Sequence, residues 1–410
     1  MLTGLDWEAT GATNGTNANP FNPNNRGVCL SLVTTRSRTT YSFEYYDYHP
    51  YLTDVPLVQQ QVDDASVICM MNAKYDYHWC RRYGINLRNK KIWDVQVFHF
   101  ILMRQTVPYP SLNSIAEYYG LEQKLDVVKR DYWEQGLDTD QVPFDILQEY
   151  CEHDTWLTLR IAQEQMYYMR YHMDEKQKAL VRAAMYDIHN LAEMEWEGFK
   201  YDHTLSSKLA QETEGKTREL EEQIREALGI NDFPTAVSNT VNLASNDHLS
   251  ALLYGGVIKY VEEEKYIFTY ADKRKGSVEK TRKVQREWEC PRLVTPLPKS
   301  ELAKAGCYST NEDTLRKLKT NKRMKQVIDM LLELSKLQKL NGTYFLGFPK
   351  LLEKMSWGDV IHSSFNQCVA ATGRLSSNKP NMQNVPPPHK PCFISQFEEE
   401  FDVTLPKGMG

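Results

Sequence analysis

The hydrophobic pattern changes character along the chain. From residue 2 to about 71 the apolar residues come in short runs with a period of two, or with no polar breaks at all, as strands do. Residues 2–8 alternate, with Leu5 and Trp7 on one side and Asp6 and Glu8 on the other. Residues 28–33 and 40–45 read as two further strands of a meander, and residues 66–71 as a strand buried on both faces. Between them, residues 11–26 read as loop and 46–64 as loop with a short helix. From residue 112 the period turns helical. Leu112 to Gly120 predicts a short helix with a glycine stop. Residues 144–170 predict a longer one, with Ile146, Leu147, Tyr150, Trp156, Leu157, Leu159 and Ile161 at apolar positions. A boundary falls at 171–177. Further helices follow at 179–197, 204–228 and 324–340. They are interrupted by an alternating run at 257–270 and a Lys- and Arg-rich one at 272–286, together a basic hairpin or flap.

Composition narrows the class. A chain of 410 residues, 41% hydrophobic and 25% charged, has room for two or three ordinary globular domains. The net charge of −5 does not exclude nucleic acid, because a local basic face is what binds phosphate. Such a face is offered by Arg316, Lys317, Lys319, Lys322, Arg323 and Lys325, although six solvated charges at a helix start read the same way. The 8 cysteines include no Cys-x-x-Cys pair, which speaks against a zinc or redox motif and fits a reducing, cytoplasmic setting. No apolar run has the length of a membrane span, and the N-terminus lacks a signal-peptide pattern.

The candidate chemistry is acidic. Asp6 and Glu8, two apart on a strand, project to the same face and repel unless a cation sits between them. Oxygen ligands suit a hard ion, Mg²⁺ or Mn²⁺. An exposed strand end with solvated charges has the same triplet. Asp76 follows the apolar run at 66–71, so it lies either at the C-terminal end of that strand, where α/β active sites gather, or at the cap of the next helix. Asp94 reads as a helix cap. Tyr150 and Asp154, four apart, share a helix face; that pairing suits a structural hydrogen bond as well as a site. His153 reads as surface.

In order, these motifs resemble the proofreading part of a family-A DNA polymerase of phage style. Asp6-x-Glu8, Asn72-Ala73-Lys74-Tyr75-Asp76 and Tyr150-x-x-x-Asp154 are similar to the three exonuclease motifs of the DEDD superfamily, tyrosine subtype. Glu195-Trp196-Glu197-Gly198, residues 253–256 and residues 308–312 resemble landmarks of the thumb. Residues 371–377 with Pro380-Asn381-Met382-Gln383-Asn384 resemble the start of the palm. The resemblance implies an α/β, RNase H-like exonuclease domain at 1–175, with a mixed central sheet flanked by helices. It implies a mainly helical thumb at 176–360 with the basic flap at about 257–298, and a partial palm at 361–410. It also implies two Mg²⁺ or Mn²⁺ ions. Asp6 would bridge both, Glu8 and Asp154 would complete one site, and Asp76 would hold the second ion through water. Tyr150 would orient the attacking water and Asn72 the terminal nucleotides, while Arg374 and Gln383 would meet the primer end. The expected partner is DNA, as a single-stranded 3′ end and as primer–template duplex, with Tyr side chains as candidates for base stacking and with no membrane. The Asp-Tyr-Ser-Gln-like strand of the family is not found in residues 401–405, nor are the fingers lysine and the His-Asp-Glu strand. The expectation is therefore the N-terminal piece of a split or truncated polymerase, whose second polypeptide carries palm and fingers. A DNA-gripping accessory module and a free-standing DEDD nuclease are the alternatives.

Overall fold

The computed structural model describes residues 1–11, 18–43, 55–269 and 277–395. Residues 44–45 of the third expected strand, 46–54 of the loop after it, the 270–276 tip of the flap and the tail from 396, with Asp402, lie outside the described residues. Two compact units result: Met1–His203 together with the segment from Pro349, and Thr204–Phe348.

The first unit is built on a five-stranded sheet. In chain order its elements are β1 (Leu2–Ala9), β2 (Gly27–Val33), β3 (Arg38–Ser42), α1 (Val55–Asp64), β4 (Val67–Met70), α2 (Ala73–Arg82), β5 (Lys91–Asp94), α3 (Val95–Leu102), α4 (Leu112–Tyr118), α5 (Val127–Asp131), α6 (Phe144–His172) and α7 (Glu175–Glu197). The sheet order is β3-β2-β1-β4-β5. β1, β2 and β3 pair antiparallel, whereas β4 and β5 run parallel to β1. This is the mixed sheet flanked by helices that the resemblance implies. β2 and β4 are apolar because they lie inside the sheet, covered on both faces: every residue of β2 is buried. On β1 the alternation sorts the faces, with Leu5, Trp7 and Ala9 buried and Asp6 and Glu8 half-buried. Asp94 caps α3 as expected, accepting from Gln96 N at 2.8 Å and Val97 N at 3.2 Å.

Helix α6 lies directly on β1 at Gly4. A Cβ there would stand 2.8 Å from Thr155 O and 2.9 Å from Thr155 Cγ2. Neither the helix backbone nor the buried Thr155 can give way, so glycine sets the distance between strand and helix. Gly4→Ala is expected to destabilise the chain by about 1–3 kcal/mol, the scale of overpacking a tight core. Urea denaturation followed by circular dichroism checks this; an unchanged midpoint would mean that α6 can move off the strand.

The second unit comprises α8 (His203–Ala227), which starts one residue before it, α9 (Thr235–Thr240), α10 (Asn246–Tyr254), the hairpin β7 (Gly256–Thr269) and β8 (Ser277–Cys290), α11 (Glu312–Lys317) and α12 (Lys322–Lys339). Ile224, Leu253, Tyr254, Ile258 and Leu331 centre its core. The hairpin's register sets Glu262 against Val284 but places opposite charges within reach across the strands. Arg286 pairs with Glu262 at 2.6 Å, Arg282 with Glu264 at 2.9 Å and Lys265 with Glu279 at 2.8 Å. Its described arms thus carry cross-strand ion pairs, while Lys273, Arg274 and Lys275 fall in the tip outside the described residues.

The first unit then resumes with α13 (which begins at Gly347 and ends at Met355), β9 (Val360–Ile361), β10 (Ser364–Asn366), β11 (Ser376–Asn378) and β12 (Phe393–Ile394). β10 and β11 form a small hairpin, while β9 and β12 flank β6 (Phe199–Tyr201), the strand that follows α7. Among the described residues no helix is long and apolar enough to cross a membrane.

Candidate active site

Three elements bring the acidic residues together. β1 presents Asp6 and Glu8, α2 presents Asp76 and α6 presents Asp154. β1 pairs with β4 only as far as Gly4. Beyond that point the Trp7 N–H donates to Asp76 Oδ1 at 3.1 Å. Asp76 is not at a strand end and is not the cap. It lies in the first turn of α2, whose cap is Asn72 with a left-handed backbone, φ 58°. The Ala73 N–H at the helix start is taken by Asp94 Oδ2 at 2.7 Å, from the neighbouring strand.

The far face of α2 is held as firmly. Lys74 and His78, one turn apart and both buried, meet the buried Glu195 of α7. His78 Nε2 lies 2.8 Å from Glu195 Oε2. Glu195 Oε1 accepts from Lys74 and, at 2.6 Å, from the Phe365 N–H of β10. Burial opposes the charge on Glu195, but His78 and Lys74 hold its carboxyl below the usual range.

The carboxylates crowd one another. Burial, and next the charge of Asp154, push the Asp6 pKa up to about 7. Burial and then Asp6 push Glu8 well above its ordinary value, and the same two causes raise Asp76. Ligand atoms of Asp6, Glu8 and Cys151 lie within 4.8 Å of one another. Two buried carboxylate oxygens, Asp76 Oδ2 and Asp154 Oδ1, have no hydrogen-bond partner. An oxygen-rich cluster with orphaned buried acceptors is what a hard divalent cation fits.

Tyr150 lies beside the cluster, 3% exposed, with its ring edge-on to Trp133 at 6.0 Å. Burial and then Glu8 raise its phenol pKa, so it stays an O–H donor. It is not hydrogen-bonded to Asp154. Lys124 intervenes, 2.5 Å from Asp154 Oδ2 and 5.0 Å from the Tyr150 ring centre. Burial works against the Lys124 charge, but the Asp154 carboxylate beside it outweighs this and keeps it protonated. Lys124 was not legible as a site residue: it is one lysine in a polar loop. His153, expected at the surface, is half-buried, with Nδ1 3.9 Å from Asp154 Oδ1. Arg374 is exposed, and Gln383 Oε1 accepts from Ser377 N at 3.2 Å. Among the described residues no hydrogen bond or ion pair joins either to the acidic cluster.

Raised carboxylate pKa values have a consequence for the metal-free chain. A folded pKa above the unfolded value of about 4 means stability that is present below that value and lost as pH rises toward 7. Asp6→Asn removes one such group. In EDTA the variant is expected to melt higher than the parent chain at pH 8, with the difference vanishing toward pH 4. Thermal melts at both pH values check this, and a variant that melts lower at pH 8 would contradict it.

Comparison with known proteins agrees with this geometry. Residues 19–166 match the family described as 3′-5′ exonuclease. The mixed sheet and its helices are therefore an exonuclease domain of RNase H-like fold. Residues 292–401 match the family described as DNA polymerase family A. The chain is thus similar to an exonuclease family over its first part and to family-A DNA polymerases over its last. Domains of both kinds are generally dependent on divalent metal. The exonuclease match begins after β1, so Asp6 and Glu8 rest on their geometry. The chain is 26% identical over 324 residues to a DNA polymerase I from Synechocystis, covering 77% of this chain and 27% of that protein. It is 26% identical over 348 residues to the DNA polymerase of Bacillus phage SP01, covering 81% of this chain and 35% of that one. Over 90 residues, 22% of this chain and 10% of the relative, it is 38% identical to a DNA polymerase I from Geobacillus stearothermophilus. The chain spans about a third or less of these relatives. Among solved structures, the POL domain of Pol1 from M. smegmatis, in complex with DNA primer-template and dNTP, shares the fold with a TM-score of 0.61. The identity is 19%, and the match covers 94% of this chain and 52% of that one.

Proposed function

We propose that the chain is a metal-dependent 3′→5′ proofreading exonuclease of DNA replication, of the tyrosine subtype of the DEDD superfamily. We assign residues 1–175 to the exonuclease, 176–360 to a thumb and those from 361 to the start of a palm. The observation that carries the reading is the convergence of Asp6, Glu8, Asp76 and Asp154 from three elements, with a protonated phenol beside them.

Two Mg²⁺ or Mn²⁺ ions, when bound, would supply an acidified water and neutralise charge developing on the leaving 3′-oxygen. The four carboxylates are the groups that would hold them. The chain's own residues do the rest. Tyr150 donates its O–H and so orients the attacking water along the face of α6. Asn72, on the exposed turn four residues before Asp76, places the terminal nucleotide. Lys124 holds Asp154 in place and offers a cation to the phosphate as the carboxylate is taken up. Burial of Trp7, Tyr150 and Cys151 keeps the floor of the site closed to water. Arg374 and Gln383, on the palm segment, are assigned to the primer end of the duplex.

The test is the direction of digestion. Single-stranded DNA labelled at its 5′ end should shorten stepwise from the 3′ end with Mg²⁺ or Mn²⁺, and EDTA should stop it. Internal cutting, release of the 5′ label as a mononucleotide, or undiminished cutting in EDTA would each sink the reading.

A further inference from the structure

Two thiols lie against the acidic cluster. Cys29 stands on β2 directly across from Glu8, and Ser31 directly across from Asp6. Residues opposed in a sheet point to the same face, so the Cys29 thiol shares the face of both carboxylates. Helix α6 packs on that face at Gly4 and brings Cys151 to it. The Cys151 thiol is hydrogen-bonded to the Cys29 thiol and reaches Asp6 O at 3.7 Å. Both cysteines are fully buried and free. They are far apart in the sequence and in no Cys-x-x-Cys pattern, so spacing alone spoke against zinc. The pairing of β2 with β1 and the packing of α6 make the pair.

Sulfur changes which ion the cluster favours. Mg²⁺ and Mn²⁺ take oxygen ligands, whereas thiolates select Zn²⁺ and its heavier congeners. Cys151 Sγ and carboxylate oxygens of Asp6 and Glu8 lie within 4.8 Å of one another. Zinc bonds sulfur at about 2.3 Å and carboxylate oxygen at about 2.0–2.2 Å, so small side-chain rotations toward a central ion would bring all three into contact with it. Cys29 supplies a fourth ligand, the usual number for zinc. A separate observation also points to a ligand. Ser31 Oγ, on the same face and fully buried, has no hydrogen-bond partner, and neither has Asp154 Oδ1. Buried polar atoms are seldom left so without an ion or water to meet them. Four anionic ligands around a divalent ion leave a net negative charge, and Lys124, whose charge acts on both Asp6 and Glu8, offsets part of it.

We propose that Cys29, Cys151, Asp6 and Glu8 form a site for a thiophilic divalent cation, Zn²⁺. Two sulfur–zinc bonds form as the ion enters, and the two thiol protons pass to solvent. The site differs in its ligands from the hard-ion site, and it excludes that site's ions because Asp6 and Glu8 serve both. A chain loaded with Zn²⁺ therefore has two carboxylates withdrawn from Mg²⁺. The thiol site goes beyond the exonuclease reading and rests on it only for this last consequence.

The test uses Cd²⁺ as the probe, because thiolate-to-cadmium charge transfer absorbs in the ultraviolet and carboxylate ligands give no such band. The metal-free full chain, kept reduced with a phosphine, is titrated with cadmium chloride. A band saturating at one ion per chain is expected, and added Zn²⁺ should abolish it by displacement. Cys29→Ala and Cys151→Ala should each leave one thiolate–metal bond and so about half of the band. Each should also weaken binding at least roughly tenfold, the low end of the loss seen for outer-shell partners of a metal. Asp6→Asn with Glu8→Gln keeps both sulfurs and should weaken binding by at least as much. Cys307→Ser, which removes the half-buried thiol 3.9 Å from Asp247 Oδ1, should change neither band nor affinity. A melt of each preparation shows whether it is folded, and if neither cysteine variant folds the carboxylate variant decides. No band in the parent, a full band in either folded cysteine variant, its loss in Cys307→Ser, or parental affinity in the carboxylate variant would each overturn the proposal. If the parent digests DNA with Mg²⁺ but shows no band, the thiol site alone fails. If the band behaves as expected and Mg²⁺ releases no nucleotide, the thiol site stands and the exonuclease reading fails.

Discussion

Asp6→Ala is expected to abolish metal-dependent hydrolysis, with a loss greater than about 1,000-fold, beyond the ~10²–10³ that one positioned donor contributes. Asp6 is the hub of the cluster. Among the neighbouring charges it is the largest influence on both Glu8 and Asp76, and Asp154 is the largest on Asp6. In the proposed two-cation site, its removal takes away the ligand that the two ions would share. The fold should survive, because the side chain is half-buried, and the strand is anchored by Leu5 and Trp7 on the other face. A stopped-time digestion of single-stranded DNA, with a melt of the same preparation, separates lost chemistry from lost structure. A folded Asp6→Ala chain that digests DNA at the parental rate would refute the assignment.

Tyr150→Phe is expected to slow hydrolysis roughly 10- to 1,000-fold, the scale of losing one positioning hydrogen bond at a reacting water. The ring would stay where it is, edge-on to Trp133 and under Lys124. Mn²⁺ binding should barely change, since the phenol is protonated and is not proposed as a ligand. Asp154→Ala should weaken Mn²⁺ binding as well as the rate, and raised Mn²⁺ should partly rescue it. The phenylalanine variant should not respond to extra metal. If Tyr150→Phe cuts at the parental rate, the tyrosine only packs and the subtype assignment is wrong.

The strands, the long helices and the Asp6–Glu8 pair were legible because they depend on local periodicity. A period of two puts both carboxylates on one face whatever the rest of the chain does. Asp76 was legible as a residue but not as a position. The helix begins at Ala73 because Asp94, on a different strand, takes the Ala73 N–H, and no local pattern reports a cap 21 residues away. Lys124 was invisible for the same reason: its importance comes from the fold that brings its loop to α6. Glu195 was visible only as part of a landmark, and its contact with Phe365 spans 170 residues. The hairpin's ion pairs were not legible for a simpler reason. A count of lysines and arginines ignores register, and the register pairs most of the cations on the described arms with carboxylates.

The central claim is that β1, α2 and α6 together build one divalent-metal site. Titration of the apo chain with Mn²⁺, following the free-ion signal by electron paramagnetic resonance, addresses it most directly. The account predicts saturable binding by the parent chain, the same binding by Tyr150→Phe, a weakened isotherm for Asp154→Ala and loss of that binding in Asp6→Ala. Parental Mn²⁺ binding by a folded Asp6→Ala chain would contradict it.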